Sequence, residues 1–158
     1  MGSASGRIVV GVDGSAGSVA ALRMAARLAP AFETGIHAVV CWHFPRIYEG
    51  YVPPDFEAFE ASAKKKLEAA LEQAFGDEPP ADLTTELVRG PAPEMLVEAG
   101  AEAVMLVVGR RGHGGLRGMH LGSVSTACVS HAACPVLVLH EDGKVHSRRG
   151  HRHEREHG

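Results

Sequence analysis

Several protein classes are excluded by what the chain lacks. No apolar run among its 158 residues approaches the ~20 needed to cross a bilayer. The net charge of −3 is not the concentrated positive charge of a general nucleic-acid binder. The opening segment has too short an apolar core for a good secretory signal. The only cysteines are Cys41, Cys128 and Cys134, an odd number in apolar surroundings, which predicts reduced thiols and a cytoplasmic protein.

Five short apolar segments, many of them β-branched, alternate with helical patterns and predict an α/β fold. The predicted strands are residues 7–13, 35–44, 83–90, 103–109 and 134–140. The first reads as a strand buried on both faces. Strands that alternate with helices predict a mostly parallel, doubly wound sheet with helices on both faces.

Four helices are predicted between these strands. The first begins near Ser15 or Ser18, either of which could cap it, and ends at Pro30. The second starts at Phe56 and has the clearest amphipathic spacing of three and four residues. A third covers residues 91–101, and a fourth covers residues 123–133 and is predicted to pack His131 on its apolar face.

The pattern predicts one domain over residues 7–140. Residues 1–6 are expected to form a flexible N-terminus, and residues 141–158 a disordered tail rich in histidine and arginine. The tail histidines could bind Zn²⁺ or Ni²⁺, but polar tails of this kind are common without metal. We therefore assign no metal-binding residue.

A glycine-rich loop, GRRGHGGLRGMHLGS, follows the fourth predicted strand. Gly109 and Gly112 would let the backbone approach a ligand closely, while Gly122 and Ser123 stand at a helix start that attracts anions. Asp13, at the end of the first strand, suits a ribose hydroxyl or an adenine amino group. The loop matches neither the P-loop nor the dinucleotide fingerprint. These residues alone leave two interpretations open, a nucleotide pocket or a surface loop whose glycines only make turns.

The spacing of this loop resembles a family signature. Gly109, two residues, Gly112, nine residues, then Gly122 and Ser123 match the G-2x-G-9x-G-[ST] motif of the ATP-binding branch of the universal stress protein family. The resemblance extends over residues 7–140. Two positions depart from the pattern: Val40 stands where the family often has histidine, and Arg110 replaces a small polar residue. Arg110 could pair with a phosphate or point to solvent.

The resemblance implies a five-stranded parallel sheet of order 3-2-1-4-5 and a site for ATP, with or without Mg²⁺. It places Asp13 on adenine or ribose, the backbone of Cys41 along the adenine slot, and the start of the last helix on the phosphates. It also implies a homodimer through the last strand, from Pro135 to Leu139, and a role in stress adaptation. The nucleotide-binding residues it implies are Gly11, Val12, Asp13, Cys41, Gly109, Arg111, Gly112, Gly122, Ser123 and Val124.

The loop lacks the groups that efficient phosphoryl transfer requires. It has no P-loop lysine and no carboxylate to act as base or to hold Mg²⁺. We therefore assign no catalytic residue and expect a nucleotide-dependent regulator with slow hydrolysis at most. Two alternatives remain, a stress protein that acts through partners with nucleotide incidental, and a weak ATP-using enzyme.

Overall fold

A computed structural model describes residues 4–43, 56–110 and 121–141. The strands are β1 (Ile8–Gly11), β2 (Ile36–Trp42), β3 (Thr84–Arg89), β4 (Met105–Gly109) and β5 (Val136–Leu139). The helices are α1 (Ala16–Leu28), α2 (Phe56–Phe75), α3 (Ala92–Ala99) and α4 (Ser123–His131). Each strand lies within the segment predicted for it.

All five strands belong to one parallel sheet of order β3-β2-β1-β4-β5. This confirms the predicted topology, including the adjacency of β1 and β4. All four residues of β1 are buried, as expected for a central strand covered on both faces. β3 and β5 lie at the edges of the sheet.

Two apolar layers cover the sheet. Alternate residues of β1 and β2 point to opposite faces, so Val10 and Val40 face the first layer while Val9 and Val39 face the second. The first layer is closed by α1 and α2, through Val19, Leu22, Ala25, Ala63, Leu67 and Ala70. The second layer is closed by α3 and α4, chiefly through Leu96 and Cys128.

One helix end agrees with its prediction, and one helix face requires correction. α1 ends at Leu28, two residues before the predicted end at Pro30, and a 3₁₀ turn, Ala29–Phe32, follows it directly. Proline is tolerated there since it occupies the first positions of the turn, where its missing N–H is not needed. His131 was predicted to pack on the apolar face of the last helix, but it is exposed. The buried positions of α4 are Ser125 and Cys128, one turn closer to its start.

The ordered contacts begin before the predicted domain start. Ala4 packs against the second layer, and the N–H of Gly6 donates to the carbonyl of Glu102 at 2.9 Å. The Thr34 hydroxyl donates to the Gly6 carbonyl at 2.6 Å. Residues 4–6, expected to be part of a flexible N-terminus, are therefore tied to the domain. Of the predicted tail, residues 142–158 lie outside the described residues.

A buried polar cluster joins β2 to the edge strand β3. His37 is fully buried, and its Nδ1 lies 2.7 Å from the Thr84 hydroxyl. Its Nε2 lies 2.9 Å from a carboxylate oxygen of Glu86, whose side chain is half exposed. Both ring nitrogens thus have partners, as a buried imidazole requires.

In the ranges 4–43, 56–110 and 121–141, no helix is long and apolar enough to cross a membrane.

Candidate functional site

The neighbours β1 and β4 send their following helices to opposite faces of the sheet. β1 leads into α1 in the first layer, whereas α4, the next helix after β4, lies in the second. A crevice opens beyond the carboxyl ends of strands at such a reversal of winding, and open α/β sheets bind ligands there. Asp13 lies two residues after the end of β1, and Gly109 ends β4, so both lie at the carboxyl ends of neighbouring strands.

Asp13 is exposed and held by its own turn. Its Oδ1 accepts a hydrogen bond from the Ser15 N–H at 2.9 Å and another from the Ser15 hydroxyl at 2.5 Å. Ser15 in turn caps α1, because its Oγ accepts from the Ser18 N–H at 3.2 Å. The described hydrogen bonds of this carboxylate all involve Oδ1, and no described residue donates to Oδ2.

Cys41 presents main-chain groups at the same edge. The last described bond between β2 and the chain of β1 is Val12 N–H to the Val39 carbonyl, at 2.8 Å. By the alternation of a parallel ladder, the N–H and carbonyl of Cys41 point the same way as those of Val39. Beside Cys41, the chain that follows β1 has already turned towards α1, and no described residue bonds to the N–H or the carbonyl of Cys41. These are the groups that the resemblance assigns to the adenine slot.

The start of α4 has no side-chain cap. Gly122 is its N-cap, with an extended backbone (φ −69°, ψ 169°), and no side chain among the described residues caps it. The N–H groups of the first turn lack partners within a helix, and their dipoles favour an anion. The N–H of Gly122 is already used, because it donates to the Arg110 carbonyl at 2.8 Å. Among the described residues, no backbone group accepts from the amides of Ser123 and Val124 in this first turn.

Ser125, which the sequence analysis did not single out, is bonded beside the start of α4. Its hydroxyl lies 2.7 Å from the Arg110 carbonyl and 3.1 Å from the Gly122 carbonyl, and the residue is 1% exposed. A serine on the inward face of a helix, three positions after the cap, was the available signal. The predicted apolar face included Val124 and His131 instead and passed over it.

Two predicted glycines are explained by packing. A Cβ on Gly109 would lie 2.9 Å from the carbonyl carbon of Gly17, so the backbone of α1 crosses this point. A Cβ on Gly11 would lie 2.7 Å from the Leu96 side chain of α3. At Gly109 the backbone of α1 approaches the sheet closely because no side chain intervenes, whereas at Gly11 the missing Cβ leaves room for the Leu96 side chain. Each glycine therefore has a role in the fold that needs no ligand.

The three thiols are free. Burial, and then the neighbouring Cys128 thiol and the Glu86 carboxylate, raise the pKa of Cys41 to about 11. Burial, and then Cys134, raise the pKa of Cys128 to about 11 as well. Burial also raises the pKa of Cys134. A protonated thiol is a poor nucleophile, so this cluster fits packing better than chemistry.

The described residues of the predicted site lie at the carboxyl edge of the sheet and at the start of α4. Two predicted residues, Arg111 and Gly112, lie outside the described residues. The remaining predicted residues are Gly11, Val12, Asp13, Cys41, Gly109, Gly122, Ser123 and Val124, at the ends of β1, β2 and β4 and the start of α4.

The fold defines an open, doubly wound α/β protein, and the switch point of its sheet lies between β1 and β4. A sequence profile described as the universal stress protein family matches residues 5–140. A universal stress protein from Mycolicibacterium smegmatis is 34% identical over 148 residues, which cover 87% of this chain and 49% of that protein. The chain belongs to the universal stress protein family.

Solved structures agree with this fold. The universal stress protein UspA from Lactobacillus plantarum has a TM-score of 0.64 at 22% identity, covering 87% of this chain and 99% of that one. A universal stress protein in complex with cAMP has a TM-score of 0.54 at 27% identity, covering 88% and 99%. The chain spans about half the length of the curated relatives it matches.

Proposed function

We propose that this protein binds ATP in the crevice and acts as a nucleotide-dependent regulator of stress adaptation, with slow hydrolysis or none. The observation that carries the proposal is the start of α4. It has no side-chain cap among the described residues. The amides of Ser123 and Val124 belong to its first turn, at the positive end of the helix dipole, which attracts anions. Phosphates at this position would accept from those amides and from the Ser123 hydroxyl.

The nucleoside would occupy the other side of the crevice. The backbone groups of Cys41 would pair with the adenine edge, and the free Oδ2 of Asp13 would accept from a ribose hydroxyl or the adenine amino group. Gly11 and Val12 would line the floor beside Asp13. Gly109, Arg111 and Gly112 belong to the glycine motif, and they would lie between the sugar and the phosphates of the bound nucleotide. The relative solved with cAMP supports an adenine nucleotide as the ligand class.

Binding, and not turnover, is the proposed activity. Phosphoryl transfer needs charge on the γ-phosphate, a held metal and an oriented nucleophile. The motif has no lysine, and the described residues contain no cluster of metal-ligating side chains. Mg²⁺ would therefore enter on the phosphates, as it commonly does when carboxylates are few.

The proposal extends to assembly and location. β5 (Val136–Leu139) lies at the edge of the sheet, and an edge strand can pair with its counterpart in a second copy. We propose a cytoplasmic homodimer joined through residues 135–139. The free, protonated thiols fit a reducing compartment.

Gly122→Glu tests the phosphate site, with Gly122→Gln as its control. The extended backbone at Gly122 is one that any residue adopts, so both variants should fold. The glutamate puts a negative charge where phosphate would bind, whereas glutamine has nearly the same shape without the charge. Titration calorimetry should show ATP affinity lowered by tenfold or more in the glutamate variant relative to the glutamine variant. Equal affinities would place ATP elsewhere.

The molecule released on denaturing the purified protein separates the alternatives. Chromatography and mass measurement should identify ATP if the protein is a nucleotide-dependent regulator. ADP or AMP would favour an ATP-using enzyme, and a kcat near ~10 s⁻¹ with ATP and Mg²⁺ would contradict slow hydrolysis. No released nucleotide, together with no binding of added ATP, would favour a protein that acts through partners alone.

A further inference from the structure

The carbonyl of Arg110 receives two hydrogen bonds from the start of α4. The Gly122 N–H donates to it at 2.8 Å, and the Ser125 hydroxyl at 2.7 Å. Arg110 itself is anchored to the sheet, because its N–H donates to the Leu139 carbonyl at 2.6 Å. A continuous set of hydrogen bonds therefore links the first turn of α4, through Arg110, to β5.

The Ser125 bond is more than the usual local bond of a helical serine. A serine inside a helix commonly donates to a carbonyl three or four residues earlier, here Gly122 at 3.1 Å. A hydroxyl has one hydrogen to give, and the Arg110 carbonyl is nearer. Ser125 is almost fully buried, so no water competes for this bond.

We infer that Ser125 is a positioning residue that fixes the start of α4 relative to β4 and so sets where the phosphate-binding amides lie. The inference rests on the proposed nucleotide site. Gly122 follows Arg110 only after eleven intervening residues, so chain connectivity alone does not fix their separation. Amides that receive phosphate must be held to within about 0.5 Å. The Ser125 hydroxyl adds a second tie beside the Gly122 amide.

The inference predicts a selective effect among ligands. Ser125 acts on the α4 end of the crevice, whereas Asp13 and Cys41 define the nucleoside end. Loss of the hydroxyl should therefore weaken ATP, which has phosphates, and leave adenosine unaffected. A merely structural role would weaken both ligands together.

Ser125→Ala tests this, and Ser18→Ala is its matched control. Ser18 is also buried near the start of a helix, but the one bond of its hydroxyl among the described residues goes to the local Ser15 carbonyl, at 2.9 Å. By calorimetry, Ser125→Ala should weaken ATP roughly three- to tenfold, the effect of one lost hydrogen bond. Adenosine affinity should stay unchanged, and Ser18→Ala should change neither. In the ligand-free protein, Ser125→Ala should also speed hydrogen exchange of the Gly122 amide.

Each other result has a definite meaning. If Ser125→Ala binds ATP like the unaltered protein, the positioning role is wrong and the proposed function stands. Equal losses for ATP and adenosine would overturn the positioning role in favour of general destabilisation. If the unaltered protein binds no ATP, the proposed function and this role of Ser125 both fail.

Discussion

Gly109 should be required for stability even when no nucleotide is bound. In Gly109→Ala, the new methyl group would lie 2.9 Å from the carbonyl carbon of Gly17, 3.1 Å from its Cα and 3.2 Å from its oxygen. These are backbone atoms of α1, which cannot turn aside as a flexible side chain can. Overpacking of this kind costs about 2 kcal/mol, and we expect the free energy of unfolding to fall by that amount. The melting temperature should fall by roughly 4–8 °C.

Urea denaturation of the ligand-free protein measures this cost, with Gly100→Ala as the control. A Cβ on Gly100 would first meet the Cys134 sulfur at 3.3 Å, a side-chain atom that can shift slightly. Both substitutions reduce the freedom of the unfolded chain equally, so that contribution cancels in the comparison. If Gly109→Ala is as stable as Gly100→Ala and loses only ATP binding, the glycine serves ligand approach and the packing explanation is refuted.

Two further predictions concern the buried polar cluster and the thiols. His37→Ala should lower the free energy of unfolding, measured in urea, by about 3 kcal/mol, because it leaves a cavity and removes a partner from both Thr84 and Glu86. Glu86→Gln, which keeps an acceptor oxygen, should lower it by under about 1 kcal/mol. Equal losses in the two variants would contradict this account. Cys41 and Cys128, with pKa values near 11 against an ordinary 9.0, should react with iodoacetamide at pH 8 about a hundredfold more slowly than in the unfolded chain, and faster as the pH rises towards 11. Alkylation at the unfolded rate would show that these thiols are neither buried nor protonated.

The sequence predicted the sheet well because each strand carries its own signal. β1 is continuous in apolar residues, and its position between β2 and β4 follows from the parallel α/β pattern together with the family resemblance. The ends of elements were less predictable. α1 ends at Leu28, near the predicted Pro30, but the 3₁₀ turn that follows it was not predicted, because such a turn depends on local geometry and not on composition.

The candidate site was predictable where a residue type carries the chemistry, as for Asp13 and Ser123. It was not predictable where packing decides. Gly109 was assigned to ligand approach, but the proximity of Gly17 cannot be read from either position alone. Ser125 was missed for a similar reason, since its partner Arg110 lies fifteen residues earlier and only the folded chain brings the two together.

The main-chain groups of Cys41, to which no described residue bonds, affect how this site can vary. An N–H and a carbonyl are the same in nearly every amino acid, so a ligand held by them places no demand on the identity of the residue. The substitutions that position 41 tolerates would depend on the space beside Cys128 and on how well the new side chain suits a β-strand. Variation there should therefore follow the packing of α4. A protein with another amino acid in place of this cysteine would still present the same main-chain N–H and carbonyl to the crevice.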